Sequence, residues 1–160
     1  EGFTDRDGIG HLPGWLTLAT DGERAAAGVV PVTRGERPDY RFYTAAEVRD
    51  GPSITYAATA RPLAEVQAEE VARIKAAAGA IITGRYPLTA QLNAQARAVE
   101  LVEIGAGNWT AEQAAEAEGL RAMRAWINAV RAASNAGEAA VLACSTVEKI
   151  AEIPAIVWPE

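Results

Sequence analysis

The chain is poor in the residues that hold metals and form disulfides. Its 160 residues include one cysteine, Cys144, and one histidine, His11. One cysteine allows no internal disulfide. One cysteine and one histidine together are too few ligands for a Cys/His metal site. A free cysteine without a disulfide framework is typical of a reducing compartment. The sequence therefore predicts no disulfide and no metal, and nothing in it indicates a cofactor.

Positive charge and long apolar runs are also scarce. The chain has 15 Lys and Arg against 21 Asp and Glu, which gives a net charge of −6. Proteins that neutralise nucleic-acid phosphates need an excess of basic residues, so we expect no nucleic-acid partner. No run reaches the roughly 20 apolar residues of a membrane span, so we expect no membrane insertion. Residues 1–14 also lack the apolar region of a signal peptide.

Alanine is the residue in excess, with 36 copies, and aromatic residues are unevenly placed. Six of the ten aromatic residues lie in residues 1–60, whereas residues 61–160 carry helical periodicity. We predict an α+β chain with a small aromatic, loop-rich β arm or subdomain over 1–60. Residues 61–160 are predicted to form an alanine-rich helical bundle or a set of helical hairpins. A sheet of so few strands is only marginally stable alone. The arm therefore needs a packing partner.

Two local patterns organise the arm. A capping box over residues 20–23 predicts one helical turn. Residues 41–44 and 54–56 look like short paired strands, with turn residues at 50–53 between them. Aromatic side chains here can stack on a sugar or a base, or can supply core and interface area. The candidate interaction residues are Trp15, Tyr40, Phe42, Tyr43 and Tyr56.

Four helices are predicted after residue 60. The first begins at Pro62, the second ends at residues 105–107, and the third begins at the capping box of Thr110. The third helix either continues without interruption or breaks near Gly137. Residues 145–148 cap a short fourth helix that is expected to stop at Pro154.

Apolar residues recur at spacings of three and four in these helices, which predicts a core-facing stripe on each. The stripe of the second helix consists of Leu88, Leu92, Ala96, Val99 and Val102. Over the helices together, the spacing does not hold a strict heptad. The residues expected in the helix–helix core are Leu63, Val66, Ile74, Leu92, Val99, Leu120, Met123, Ile127 and Val130. Because the flanking alanines bury little area, we expect a second chain to complete this core in a homo-oligomer.

No arrangement in the sequence specifies catalysis. A general base needs an orienting partner and a nucleophile, and neither accompanies His11. Cys144 lies within an apolar helical pattern, where small buried thiols are common. The acidic residues Asp5 and Asp7 lack the remaining ligands of a calcium loop and are interpreted as a turn. We therefore predict that the protein is not an enzyme.

Several segments together resemble small proteins of tailed phages and prophages that are encoded beside tail-fibre genes. The more specific matches lie in the arm. Residues 7–9 and 12–16 resemble the opening of these proteins, residues 23–30 resemble their ERxALGI segment, and residues 37–43 resemble their PDxRFY segment. Further matches lie at 61–63, 92–101, 109–112, 127–135 and 147–159. The match spans nearly the whole chain, so we expect residue 160 to be the C-terminus. Leu12-Pro13-Gly14 departs from the pattern, which puts the geometry of that turn in doubt.

The resemblance implies a structural protein of the phage virion, in the fibre or baseplate region of the tail. Such a protein would be made in the cytoplasm of the host bacterium and retained in the tail. It would form a homo-oligomer, with a trimer as the expected copy number, and its arm would contact other tail proteins. One alternative is a tail-fibre assembly chaperone that is absent from the mature particle. Another is a module that binds a host-surface glycan through the arm's aromatic residues.

Overall fold

The computed structural model describes residues 2–5 and 7–160. The chain is α+β: it is mostly helical, with its larger sheet near the N-terminus. It divides into two compact units, residues 1–59 and residues 60–160. The two units are described separately below.

The first unit opens with short elements. Strand β1 (Phe3–Thr4) pairs antiparallel with β2 (Gly10–His11), and two short helices follow, α1 (Trp15–Leu18) and α2 (Asp21–Ala26). The predicted capping box opens α2. The backbone N–H of Glu23 donates to the Thr20 hydroxyl at 3.3 Å, and the N–H of Thr20 donates to the Glu23 carboxylate at 2.7 Å. Satisfying these end groups stabilises so short a helix.

A three-stranded sheet completes the first unit. Its strands are β3 (Thr33–Arg34), β4 (Tyr43–Asp50) and β5 (Ser53–Ala60), in the order β3-β5-β4, with β3 parallel to β5. The predicted strand pair is present, but its strands are longer and its turn is tighter than expected. Gly51 in that turn has a φ of +54°, which favours glycine. β4 lies at an edge of the sheet.

Few side chains of the first unit are buried. Its buried hydrophobic residues in the described part are Ala19, Ala27, Phe42 and Ile54. The prediction that Phe42 is an interaction residue is therefore wrong, because its side chain is 6% exposed and belongs to this small core. The Arg41 guanidinium lies 4.8 Å from the centre of its ring, which further covers it. A buried ring cannot contact a partner.

The second unit is built from helices. They are α3 (Leu63–Arg85), α4 (Leu88–Ile104), a 3-10 turn (Ala106–Asn108), α5 (Ala111–Ala143) and α6 (Val147–Ala151). The capping box predicted at Thr110 is present, and the Thr146 hydroxyl caps α6. Of the two courses left open for the third predicted helix, the continuous one is observed, because α5 passes through Gly137 without a break.

Helix α5 is the long axis of this unit, and α3 and α4 each lie beside one half of it. The Gln67 amide of α3 donates to the carbonyl of Val141 near the end of α5, at 3.3 Å. Arg97 of α4 pairs with Glu116 near the start of α5, at 2.8 Å. Both helices therefore run antiparallel to α5, and they follow one another along its length.

The half of the unit built from α3 and α5 has the fuller core. Ala78, Ile82, Ile127 and Val130 form its buried centre. The tail after α6 adds to it, since Trp158 packs against this cluster. The expected core residues Val66, Ile74, Ile127 and Val130 are buried, and Leu63, Leu120 and Met123 are half-buried.

The predicted core is wrong at Leu92 and Val99 of α4. Both were expected inside the helix–helix core, yet they are 57% and 55% exposed in the chain. The cause is the rotation of α4, which turns Leu101 rather than its longer apolar stripe toward the interior. Leu101 is 2% exposed.

Candidate interaction surface

One face of α4 is apolar and exposed. Leu88, Leu92, Val99 and Val102 are 64%, 57%, 55% and 75% exposed. We call these four residues the α4 face. Exposed aliphatic residues that occur singly are ordinary, but a contiguous apolar patch marks an interaction site. All four lie along one helix at spacings of three, four and seven, so the α4 face is such a patch.

Three interactions hold α4 in the rotation that exposes this face. Leu101 is buried, and its carbonyl accepts the indole N–H of Trp109 at 2.8 Å. The amide of Gln91 donates to the carbonyl of Tyr86 at 2.7 Å, across the junction between α3 and α4. Gly105, with a φ of +82°, ends the helix in a conformation that glycine adopts without strain.

An ion-pair network fixes the side of α4 that lies next to α5. The Arg97 guanidinium donates to Glu116 of α5 at 2.8 Å and to Glu100 of its own helix at 2.7 Å. Its hydrogen bonds to Arg97 hold the pKa of Glu116 below its ordinary value, and the two carboxylates raise the pKa of Arg97. Both carboxylates are solvent-exposed and Arg97 is half-buried. The network therefore adds little to the free energy of unfolding, and its main effect is to orient α4.

The packing between α4 and α5 leaves a groove of about 450 Å³. Its apolar lining comes from Ala94 and Ala98 of α4 and from Leu120, Met123 and Ile127 of α5. Its polar lining is Gln91, Gln95, Arg124, Asn128 and Arg131. Small alanine side chains leave this space because they do not fill the distance between the helices. The groove accounts for the half-burial of Leu120 and Met123, which were predicted as core.

A second groove, also of about 450 Å³, lies beside the α3 half of α5 and is partly polar. Glu138 is its central group: its carboxylate accepts from the Ser134 hydroxyl at 2.9 Å and from the Lys75 ammonium at 3.4 Å. Ser134 is buried. The hydroxyl and the ammonium both give the carboxylate hydrogen-bond partners. Because Lys75 lies on α3 and Glu138 on α5, this cluster links the two helices.

The aromatic residues of the first unit do not form one platform. Tyr40 is 82% exposed, whereas Tyr43 and Tyr56 are half-buried. The Arg37 guanidinium lies 5.8 Å from the ring centre of Tyr56. Trp15 is half-buried and stacks on His11, with ring centres 4.1 Å apart. With Phe42 in the core, the exposed aromatic surface of the predicted set is mainly Tyr40.

His11 is held in place by Asp5. Its Nε2 lies 2.9 Å from an Asp5 carboxylate oxygen, and Asp5 also accepts the backbone N–H groups of Asp7 and Ile9. These hydrogen bonds, that of His11 first, lower the pKa of Asp5. The acidic turn predicted here is therefore a hydrogen-bonded loop between β1 and β2.

Metal-ligating groups and membrane spans were sought across residues 2–5 and 7–160. That part of the chain holds no cluster of three or more His, Cys, Asp or Glu side chains placed to bind a metal ion. None of its helices combines the length and hydropathy that crossing a membrane requires.

No protein-family model matches this chain, and no curated protein and no solved structure matches it. The α4 face was within reach of sequence reasoning, since its residues were recognised as one stripe. The stripe was assigned to the core of the chain because periodicity shows that a helix has an apolar face but not what covers it. The packing of the C-terminal tail was missed, since residues 152–160 carry no periodic pattern.

Proposed function

We propose that the protein is a non-enzymatic structural component of a phage tail, in its fibre or baseplate region. In this proposal the helical unit joins copies of the chain, and the first unit contacts other tail proteins. The observation that carries the assembly role is the exposed α4 face, an apolar surface on a helix that is otherwise well anchored. The assignment to a phage tail rests on the sequence resemblance of residues 7–43.

The first unit would contact other proteins through the edge of its sheet. β4 (Tyr43–Asp50) is an edge strand of eight residues, and an edge strand presents unpaired backbone groups to which an extended segment of another protein can add. Tyr40, highly exposed, lies just before this strand and would add side-chain area. These features favour contact with protein, and they leave a glycan as the weaker candidate.

Quantitative mass spectrometry of purified virions tests the proposal. We expect the chain to be present at a fixed number of copies for each tail. Absence from infective particles would contradict a virion role and would favour the assembly chaperone, which acts before the particle is complete. Binding to a glycan array that is lost in Tyr40→Ala would favour the glycan-binding module instead.

A further inference from the structure

The exposed face of α4 has the spacing of a coiled-coil seam. Leu88, Leu92, Gln95, Val99 and Val102 follow one another at intervals of four, three, four and three residues. All five are exposed. Two helices that carry such a 4-3 pattern pack side by side through it, with Leu92 and Val99 at one core position of the heptad and the other three at the second. The seam covers two heptads, a length of about 21 Å.

The residues that flank the seam permit a second copy to approach. The flanking positions on one side are Thr89, Ala96 and Glu103, and those on the other side are Gln91 and Ala98, which also line the α4–α5 groove. In a parallel pair, Glu103 faces Ala98 of the second copy, and Gln91 faces its Ala96. No two like charges meet, and the alanines allow the helices close contact.

Gln95 decides the orientation. A buried amide needs a polar partner, and in a pair of α4 helices the Gln95 amide of the second copy supplies one, beside the Arg124 and Asn128 side chains that line the same groove as Gln95. In a parallel, in-register pair, Gln95 faces Gln95, and each of the other four residues faces its own counterpart. In the antiparallel arrangements that alternate the two core positions, Gln95 faces Leu92 or Val99, which offer its amide no hydrogen bond from the second copy. One polar residue in a heptad core commonly sets orientation and register in this way.

We propose that the occupant of the α4 face is α4 of a second copy of this chain, packed parallel and in register through Leu88, Leu92, Gln95, Val99 and Val102. The inference deepens the proposed function by naming the surface through which its copies meet. A seam of two heptads is smaller than a standard protein interface, so the association is concentration-dependent. High local concentration in an assembly would favour it.

Disulfide trapping tests the arrangement in the full chain, in a Cys144→Ser background that removes the native thiol. We expect Val99→Cys, which leaves Gln95 in place, to form a disulfide-linked dimer under mild oxidation, because facing core positions lie within disulfide range. Asn93→Cys is the matched control, since Asn93 is exposed on α4 but lies off the seam, and it should stay monomeric. An antiparallel pair would instead link Leu88→Cys with Val99→Cys, or Leu92→Cys with Val102→Cys, in a mixture of the two variants, and this result would overturn the proposed orientation.

Sedimentation equilibrium of the unlabelled chain gives the second readout. We expect Leu92→Lys to raise the dissociation constant about tenfold or more, and Asn93→Lys to leave it nearly unchanged. Circular dichroism checks that both variants fold, which is expected because both side chains are exposed. A wild-type chain that remains monomeric at millimolar concentration, or equal effects of the two lysines, would overturn the proposal. Presence of the chain in virions is measured separately, so a failed seam and a failed tail role are distinguishable.

Discussion

At the residue scale, burial sorts side chains that sequence patterns treat as equal. Phe42 and Tyr40 are two aromatics in one predicted cluster, yet one lies in the core and the other is almost fully exposed. Leu101 and Val102 are neighbours on α4, yet Leu101 is buried and Val102 is exposed. Periodicity predicted which residues share a face. It did not predict which face turns inward, because that depends on tertiary contacts such as the Trp109 hydrogen bond.

Two glycines of α5 give a residue-scale prediction. Gly119 has open space where a Cβ would lie, whereas a Cβ at Gly137 would collide with the side-chain end of Ile156 in the C-terminal tail. We expect Gly119→Ala to raise the free energy of unfolding by about 1 kcal/mol through helix propensity alone. Gly137→Ala should gain less, because Ile156 must move.

Urea denaturation of the two variants measures this difference. Equal stabilisation by both substitutions would contradict the packing of the tail against α5.

At the element scale, helix and hairpin positions followed from local chemistry. Capping residues at Thr20, Thr110 and Thr146 begin helices where predicted, since satisfying the first backbone N–H groups is a local requirement. Continuity of α5 through Gly137 could not be decided locally. It follows from packing along both halves of that helix, which outweighs the cost of one glycine.

The rotation of α4 can be tested at this scale. We expect Leu101→Ala to lower the free energy of unfolding by about 2–4 kcal/mol, because it removes a fully buried side chain and leaves a cavity. Val102→Ala is the matched control and should change it by less than about 0.5 kcal/mol at concentrations where the chain is monomeric.

Denaturation at low protein concentration compares these neighbours. A larger loss from Val102→Ala would show that α4 is rotated differently and would remove the basis for the exposed α4 face.

At the scale of the whole molecule, the two halves of the helical unit differ in how completely their cores are covered. The α3 half is closed by α6 and by the tail that carries Trp158. The α4 half packs mainly on α5, which leaves the groove beside Leu120 and the exposed α4 face. The contrast follows from the rotation of α4, which turns Ala94 and Ala98 toward the groove and the larger side chains of the α4 face away from it, and small side chains fill a two-helix interface poorly. In the proposed assembly, the less filled half of the unit is the one that meets a second copy.

The most direct test of this account is the incorporation of variant chains into the virions of a phage that encodes the protein. Quantitative mass spectrometry would compare Leu92→Lys with Asn93→Lys, two lysines on neighbouring exposed positions of α4. We predict that Leu92→Lys is largely lost from purified particles, because it places a charge in the seam, and that Asn93→Lys is retained at the wild-type copy number. Equal retention of both variants would contradict the claim that the chain enters the tail through the α4 face.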